Sequence, residues 1–188
     1  READVRIILD LCGGTGAWSA PYVAAGYDVR LVTLPDQDVL TYRPPANVHG
    51  ILAAPPCTDF SFARTRAKRP RDFRAAMEVV TACLRIIWEC RYSACDPMWW
   101  ALENPVGYLR QFLGEPAFTF KPCEFGDPWA KRTDLWGYFT APRKLREPGP
   151  VPPGMNRASR WHDLPGDRAT RRAKTPPAFA EAFYEANP

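Results

Sequence analysis

The chain has 188 residues, 46% of them hydrophobic and 24% charged, which fits a single globular domain and excludes a disordered composition. No apolar run approaches the roughly 20 residues needed to span a bilayer, and no secretory signal pattern opens the chain. Net charge is only +4 but unevenly placed, with balances of −3, +5, −2 and +4 over residues 1–60, 61–91, 92–142 and 143–188; two basic blocks on a near-neutral body point to a localised polyanion-binding face.

The six cysteines (12, 57, 83, 90, 95 and 123) contain no C-x-x-C pair, and His49 and His162 are the only histidines, so the ligand spacing of a structural zinc site is missing. A domain with this much apolar content does not need a disulfide framework, and the expected compartment is reducing, intracellular and cytoplasmic. Proline is the outlier, 21 of 188, which predicts many ordered loops.

In chain order, Val5–Asp10 reads as a buried strand that runs into the glycine-rich turn Leu11-Cys12-Gly13-Gly14-Thr15-Gly16. A helix is expected from about Ser19, with Pro21 in its first turn and Gly26 as its stop. Strand, glycine turn and helix form the first half of a nucleotide-binding βαβ unit, in which the backbone can approach a ligand closely. A second strand is expected near Asp28 to Thr33. The acid that commonly ends this strand and grips ribose hydroxyls is absent, and Asp38, just beyond, is the better candidate for a cofactor contact.

A third strand, Val48 to Ala53, leads to Pro55-Pro56-Cys57. Two prolines cannot donate ladder hydrogen bonds, so the strand must stop there and hold Cys57 on a stiff turn beyond its carboxyl end. Thr58, Asp59 and Ser61 are capping types, so a helix start or a tight loop should follow, and amides near a helix start would favour the thiolate. A buried core thiol is the plainer alternative. Residues 62–74 then hold six basic side chains with Phe62 and Phe73; Arg64, Arg66, Lys68, Arg69 and Arg71 are the candidates for phosphate contacts.

Ala75 to Trp88 reads as a long helix whose core stripe is Met77, Val80, Leu84, Ile87 and Trp88. Pro97 to Leu102 is the next strand, ending in Glu103-Asn104-Pro105. A carboxylate following such apolar residues should be partly desolvated and its pKa raised, which suits proton sharing near neutrality. Two short strands are expected at Phe118 to Lys121 and Trp136 to Phe139. Residues 142–174 form a Pro-rich basic connection, and Thr175-Pro176-Pro177 opens an amphipathic helix through Tyr184.

The ordered set Asp10-Leu11-Cys12-Gly13-Gly14-Thr15-Gly16, Pro55-Pro56-Cys57, Glu103-Asn104-Pro105 and Lys131-Arg132 resembles the DNA (cytosine-5) methyltransferases over roughly residues 5–140, and the terminal helix resembles the family's last motif. The resemblance implies an α/β, Rossmann-like S-adenosylmethionine-dependent methyltransferase fold, a mostly parallel twisted sheet flanked by helices, in a single catalytic domain over 1–188. It implies S-adenosylmethionine as the methyl donor, held by Asp10, Leu11, Cys12, Gly13, Gly14, Thr15, Gly16, Asp38 and Pro55. It implies a flipped-out cytosine in DNA as the acceptor, with Cys57 as nucleophile, Glu103 on the base, and Arg132 beside base and thiolate. Lys131 joins the phosphate-binding candidates, and Asn104 is expected to orient the Glu103 loop. The roughly 35 residues between Phe139 and Thr175 cannot replace the family's sizeable target-recognition domain, so sequence specificity is expected to be weak, short, or supplied by a protein partner. RNA as substrate and a catalytically idle nucleic-acid-binding relative are the rival readings.

Overall fold

The computed structural model describes residues 6–62, 68–92, 97–145, 147 and 174–188. Six strands form one sheet in the order β2-β1-β3-β4-β6-β5, where β1 is Ile7–Leu11, β2 Asp28–Val32, β3 Val48–Ala53, β4 Trp99–Pro105, β5 Phe118–Phe120 and β6 Thr133–Tyr138. β1 pairs in parallel with β2 and β3, and β3 with β4; β6 alone is reversed, antiparallel to both β4 and β5. Among the described residues four α-helices accompany the sheet: α1 Ala20–Ala24, α2 Phe73–Arg91, α3 Arg110–Leu113 and α4 Pro177–Ala186. The mostly parallel α/β sheet flanked by helices is the arrangement expected from the sequence. No helix among the described residues is long and apolar enough to cross a membrane.

Side chains alternate across the sheet and build two cores. Leu9, Leu11, Ile51, Ala53 and Leu102 pack with Val80, Cys83, Ile86 and Ile87 of α2 on one face. Ile8, Leu52, Ala101 and Leu135 pack on the other with Trp18, which precedes α1, Tyr22 of α1, and Phe179 and Phe183 of α4. A strand covered on both faces must be apolar at nearly every position, which is how β3 reads. The stripe expected on α2 is right for Val80 and Ile87 but not for Trp88, which is 46% exposed. The 3.6-residue period places Cys83, Ile87 and Cys90 on the sheet side and turns Trp88 outward.

The chain returns at its end to lock the second core. Asn187 donates through Nδ2 to the Thr140 and Phe183 carbonyls, and the Tyr22 hydroxyl donates to the Asn187 carbonyl at 2.8 Å. Pro176 cannot cap α4 with a side chain, so Asp127, distant in sequence, accepts from the amides of Ala178 (3.2 Å) and Phe179 (3.1 Å). Asp127→Ala should cost about 1–2 kcal/mol of unfolding free energy in urea, because two helix-start donors lose their acceptor.

Most of the Pro-rich connection expected over 142–174 lies outside the described residues, as do Arg64 and Arg66. Two short elements had no sequence expectation: α3, and a single 3-10 turn at Pro122–Glu124.

Candidate active site

From β1 the chain moves outward to β2, then crosses to the other side of β1 to form β3. The sheet's switch point therefore lies between β1 and β3, and open α/β sheets bind ligands in the crevice beyond the carboxyl ends of such strands. The glycine turn follows β1 and Pro55-Pro56-Cys57 follows β3, so both predicted motifs flank that crevice. β4, parallel to β3, brings Glu103 to the same edge.

One cavity there is lined by Pro55, Cys57, Glu103, Lys131, Thr133 and Thr175, among others. Cys57 is half-buried and lines the same cavity as Glu103. The turn is fixed from two sides. The Cys57 carbonyl accepts from the amides of Phe60 (3.1 Å) and Ser61 (2.9 Å), and Asn104 Nδ2 donates to the Pro55 carbonyl at 3.0 Å. Asn104 thus ties the two motifs together from below. Thr58–Phe60 is one turn and not a helix; the next helix among the described residues begins at Phe73, capped by Asp72. The helix-start contribution to a Cys57 thiolate expected from the sequence is therefore absent.

Alternation along extended chain decides what else reaches the cavity. Glu103 and Pro105 point in while Asn104 points away, and across the ladder Lys131 and Thr133 point in while Arg132 points out. Arg132 is exposed and lines a separate depression with Thr119, Phe120, Lys121 and Glu124. The expectation of Arg132 beside the thiol is corrected accordingly: Lys131, expected on phosphates, lines the cavity, and so does Lys174. Glu103 retains some accessible surface, yet its surroundings are dense enough that desolvation raises its carboxyl above the usual range; Lys131 draws it down and Asp134 pushes it up. Asp134 is buried and held by a bidentate Arg110 (2.7 Å to each oxygen) and by Thr119.

The glycine turn is built on Asp10, which is fully buried beneath it. Ser19 Oγ donates to Asp10 Oδ2, while Oδ1 is without a hydrogen-bond partner. A Cβ at Gly13 would collide with the Asp10 carboxyl, whereas nothing lies within 4 Å of one built at Gly14, which has φ +57° and is exposed. The turn is closed below and open above. Cys12, also at φ 57°, sits with its Sγ 4.0 Å from that of Cys83, which lowers the Cys12 thiol pKa and raises that of Cys83. Leu11 contributes no side-chain contact, because it is core; its carbonyl accepts from Ala54. Asp38 accepts from the Leu40 amide and lies near enough to Cys12 to push that thiol upward, so it stands on the glycine-turn side. Thr15 is exposed on the turn and Pro55 is buried at the cavity wall.

Burial pushes the Asp10 carboxyl from 3.8 to about 6, against the opposing hydrogen bonds of Ser19. The folded chain therefore holds this proton more tightly than the unfolded one. The contribution of this one group to stability is fully present below pH 4, falls as pH rises to 6, and is smaller by about 3 kcal/mol above that. Asp10→Asn keeps an acceptor for Ser19 and should flatten this dependence in urea titrations at pH 4 to 7.

Of the basic residues after Cys57, Lys68 is exposed, while Arg69 and Arg71 also serve the turn. Arg69 reaches Asp59 Oδ2 at 3.1 Å, and Arg71 donates to the Asp59 carbonyl at 2.7 Å. The sequence did not single out Thr133 or Phe120 for the cavity. Their one sequence signal was the short-strand pattern, which shows that they alternate but not toward what.

No family model matches this sequence, and no curated protein matches it. Several solved structures are similar to it over part of their length. A chain described as a DNA modification methyltransferase encoded within an E. coli prophage matches with TM-score 0.49 and 16% identity, covering 71% of this chain and 46% of that one. The Entamoeba histolytica methyltransferase EhMeth matches with TM-score 0.45 and 9% identity over 78% and 57%. Spodoptera frugiperda DNMT2 matches with TM-score 0.45 and 18% identity over 81% and 56%. The chain spans about half the length of the solved structures it matches.

Proposed function

We propose that the chain methylates carbon 5 of cytosine in DNA, using S-adenosylmethionine, through a transient bond from Cys57 to the base. The observation that carries this reading is the placement of Cys57 and Glu103 in one cavity beside the sheet's switch point. The donor's pocket would be formed by the open glycine turn, with the buried, half-partnered Asp10 beneath it and Asp38 beside it. A carboxyl retained at such a desolvation cost under an open turn fits a site built to hold a ligand. Bound there, S-adenosylmethionine supplies an electrophilic methyl group.

Carbon 5 of cytosine is a poor nucleophile until something adds to carbon 6. Cys57 thiolate makes that bond, and the electron pair released from the 5,6 double bond spreads over carbon 5 and the ring toward nitrogen 3. Glu103, its proton held toward neutrality by burial, donates to nitrogen 3 and accepts from the exocyclic amine, stabilising the charge where it develops. Lys131 keeps the pocket electropositive and limits how far the Glu103 pKa rises. After substitution, loss of the carbon 5 proton to water or a base restores the double bond and expels the Cys57 thiolate. Asn104 acts through Pro55 and is a positioning residue.

The test is transfer of tritiated methyl from S-adenosylmethionine to cytosine-containing DNA, to the matching RNA, and to DNA already carrying 5-methylcytosine. Label on the first alone is the expected result. Label on RNA alone replaces the substrate, and label on none of them overturns the reading.

A further inference from the structure

Beyond the cavity, an aromatic ledge stands on the two chain segments that leave Cys57 and Glu103. Phe62, five residues past Cys57, is 55% exposed, and Tyr108, five residues past Glu103, is 40% exposed. The two loops are bolted together: Ser61 bridges Gly107, and the Tyr108 amide donates to the Phe60 carbonyl at 2.9 Å. Any side chain at Gly107 would collide with that carbonyl, so the close approach requires glycine. The Phe62 and Tyr108 rings meet edge to face at 4.9 Å, and Tyr108 is backed by Phe73 at 5.8 Å and by the Arg71 guanidinium at 4.9 Å. Lys68 and Arg69 lie exposed on the same loop.

A single exposed Phe needs no explanation, but this one packs on an aromatic stack, with cations nearby in the chain, five residues from Cys57. Flat apolar faces beside positive charge fit nucleobases and their phosphates, and stacking tolerates any base because every base has a π-face.

Resting on the function proposed above, we infer that Phe62, buttressed by Tyr108, is a stacking post for an unpaired base neighbouring the cytosine in the cavity. The chain thereby favours single-stranded DNA, with Lys68 contacting its phosphates. This is a binding role and not a catalytic one.

The test uses fluorescence anisotropy of the whole chain with a labelled oligothymidylate, which contains no cytosine, and with an abasic strand of the same length and charge, without S-adenosylmethionine. Wild type should bind the base-containing strand more tightly than the abasic one. Phe62→Ala should bind it at least about fivefold more weakly, abolish the difference between the strands, and leave the salt dependence unchanged. Phe62→Trp and Tyr108→Phe should retain the preference. Equal wild-type affinity for both strands, or unaltered binding by Phe62→Ala, overturns the inference. Since no cytosine or methyl donor is involved, loss of methyl transfer with this binding pattern intact would refute the proposed reaction and leave the stacking post standing.

Discussion

Cys57→Ser should reduce methyl transfer to DNA by roughly 10⁴-fold or more, the loss typical of removing a covalent nucleophile. With DNA containing 5-fluorocytosine and S-adenosylmethionine, wild type should form an adduct that survives denaturation, because fluorine at carbon 5 cannot leave as a proton does and the Cys57 bond cannot be released. The serine variant should form none. A hydroxyl is far less acidic than a thiol, so little of it is ionised at neutral pH, while its size lets the Pro55-Pro56 turn and the Asn104 contact persist. Unfolding in urea should be close to that of wild type. An adduct of undiminished yield in the variant would remove Cys57 from the chemistry.

Glu103→Gln is expected to slow turnover by about 10²–10³, the usual effect of deleting one stabilising donor aimed at developing charge. The amide can still hydrogen-bond the base, so substrate affinity should change much less than the rate. The pH profile separates this role from a structural one. Burial raises the Glu103 pKa, so in wild type the rate should fall on the alkaline side as the carboxyl loses the proton it donates; in the glutamine variant that limb should be absent. The same burial makes the carboxylate form costly to the fold above its pKa, so the variant should be no less stable than wild type at pH 8. A variant turning over at the wild-type rate, or one retaining the alkaline limb, would end the assignment.

Both expectations depend on two side chains that lie 46 residues apart in the sequence and share a cavity only because β3 and β4 are parallel neighbours. Lys131 and Arg132 show where such reading stops. A pair of adjacent cations offers nothing to rank them, and the choice belongs to the pleat: Thr133 begins β6, and alternation back from it sends Lys131 inward and Arg132 outward. Trp88 failed for the related reason that a helix stripe drawn from apolarity is wider than the face the sheet covers. Arg69 and Arg71 look like free phosphate contacts in the sequence, whereas folding brings Asp59 within their reach.

What the sequence by itself determined is local. Continuous apolar runs, prolines that end a strand, and a glycine turn whose backbone only small residues permit are written in neighbouring residues, and so β1, β3, the Cys57 turn and the terminal helix were legible. What only the tertiary structure decided is long-range: the strand order, the reversal of β6, the cap that Asp127 provides for α4, the proton held on Asp10, and which of the neighbours Lys131 and Arg132 lines the cavity with Cys57. These depend on which faces meet across the sheet and on how much water is left between them, quantities that no stretch of chain contains alone.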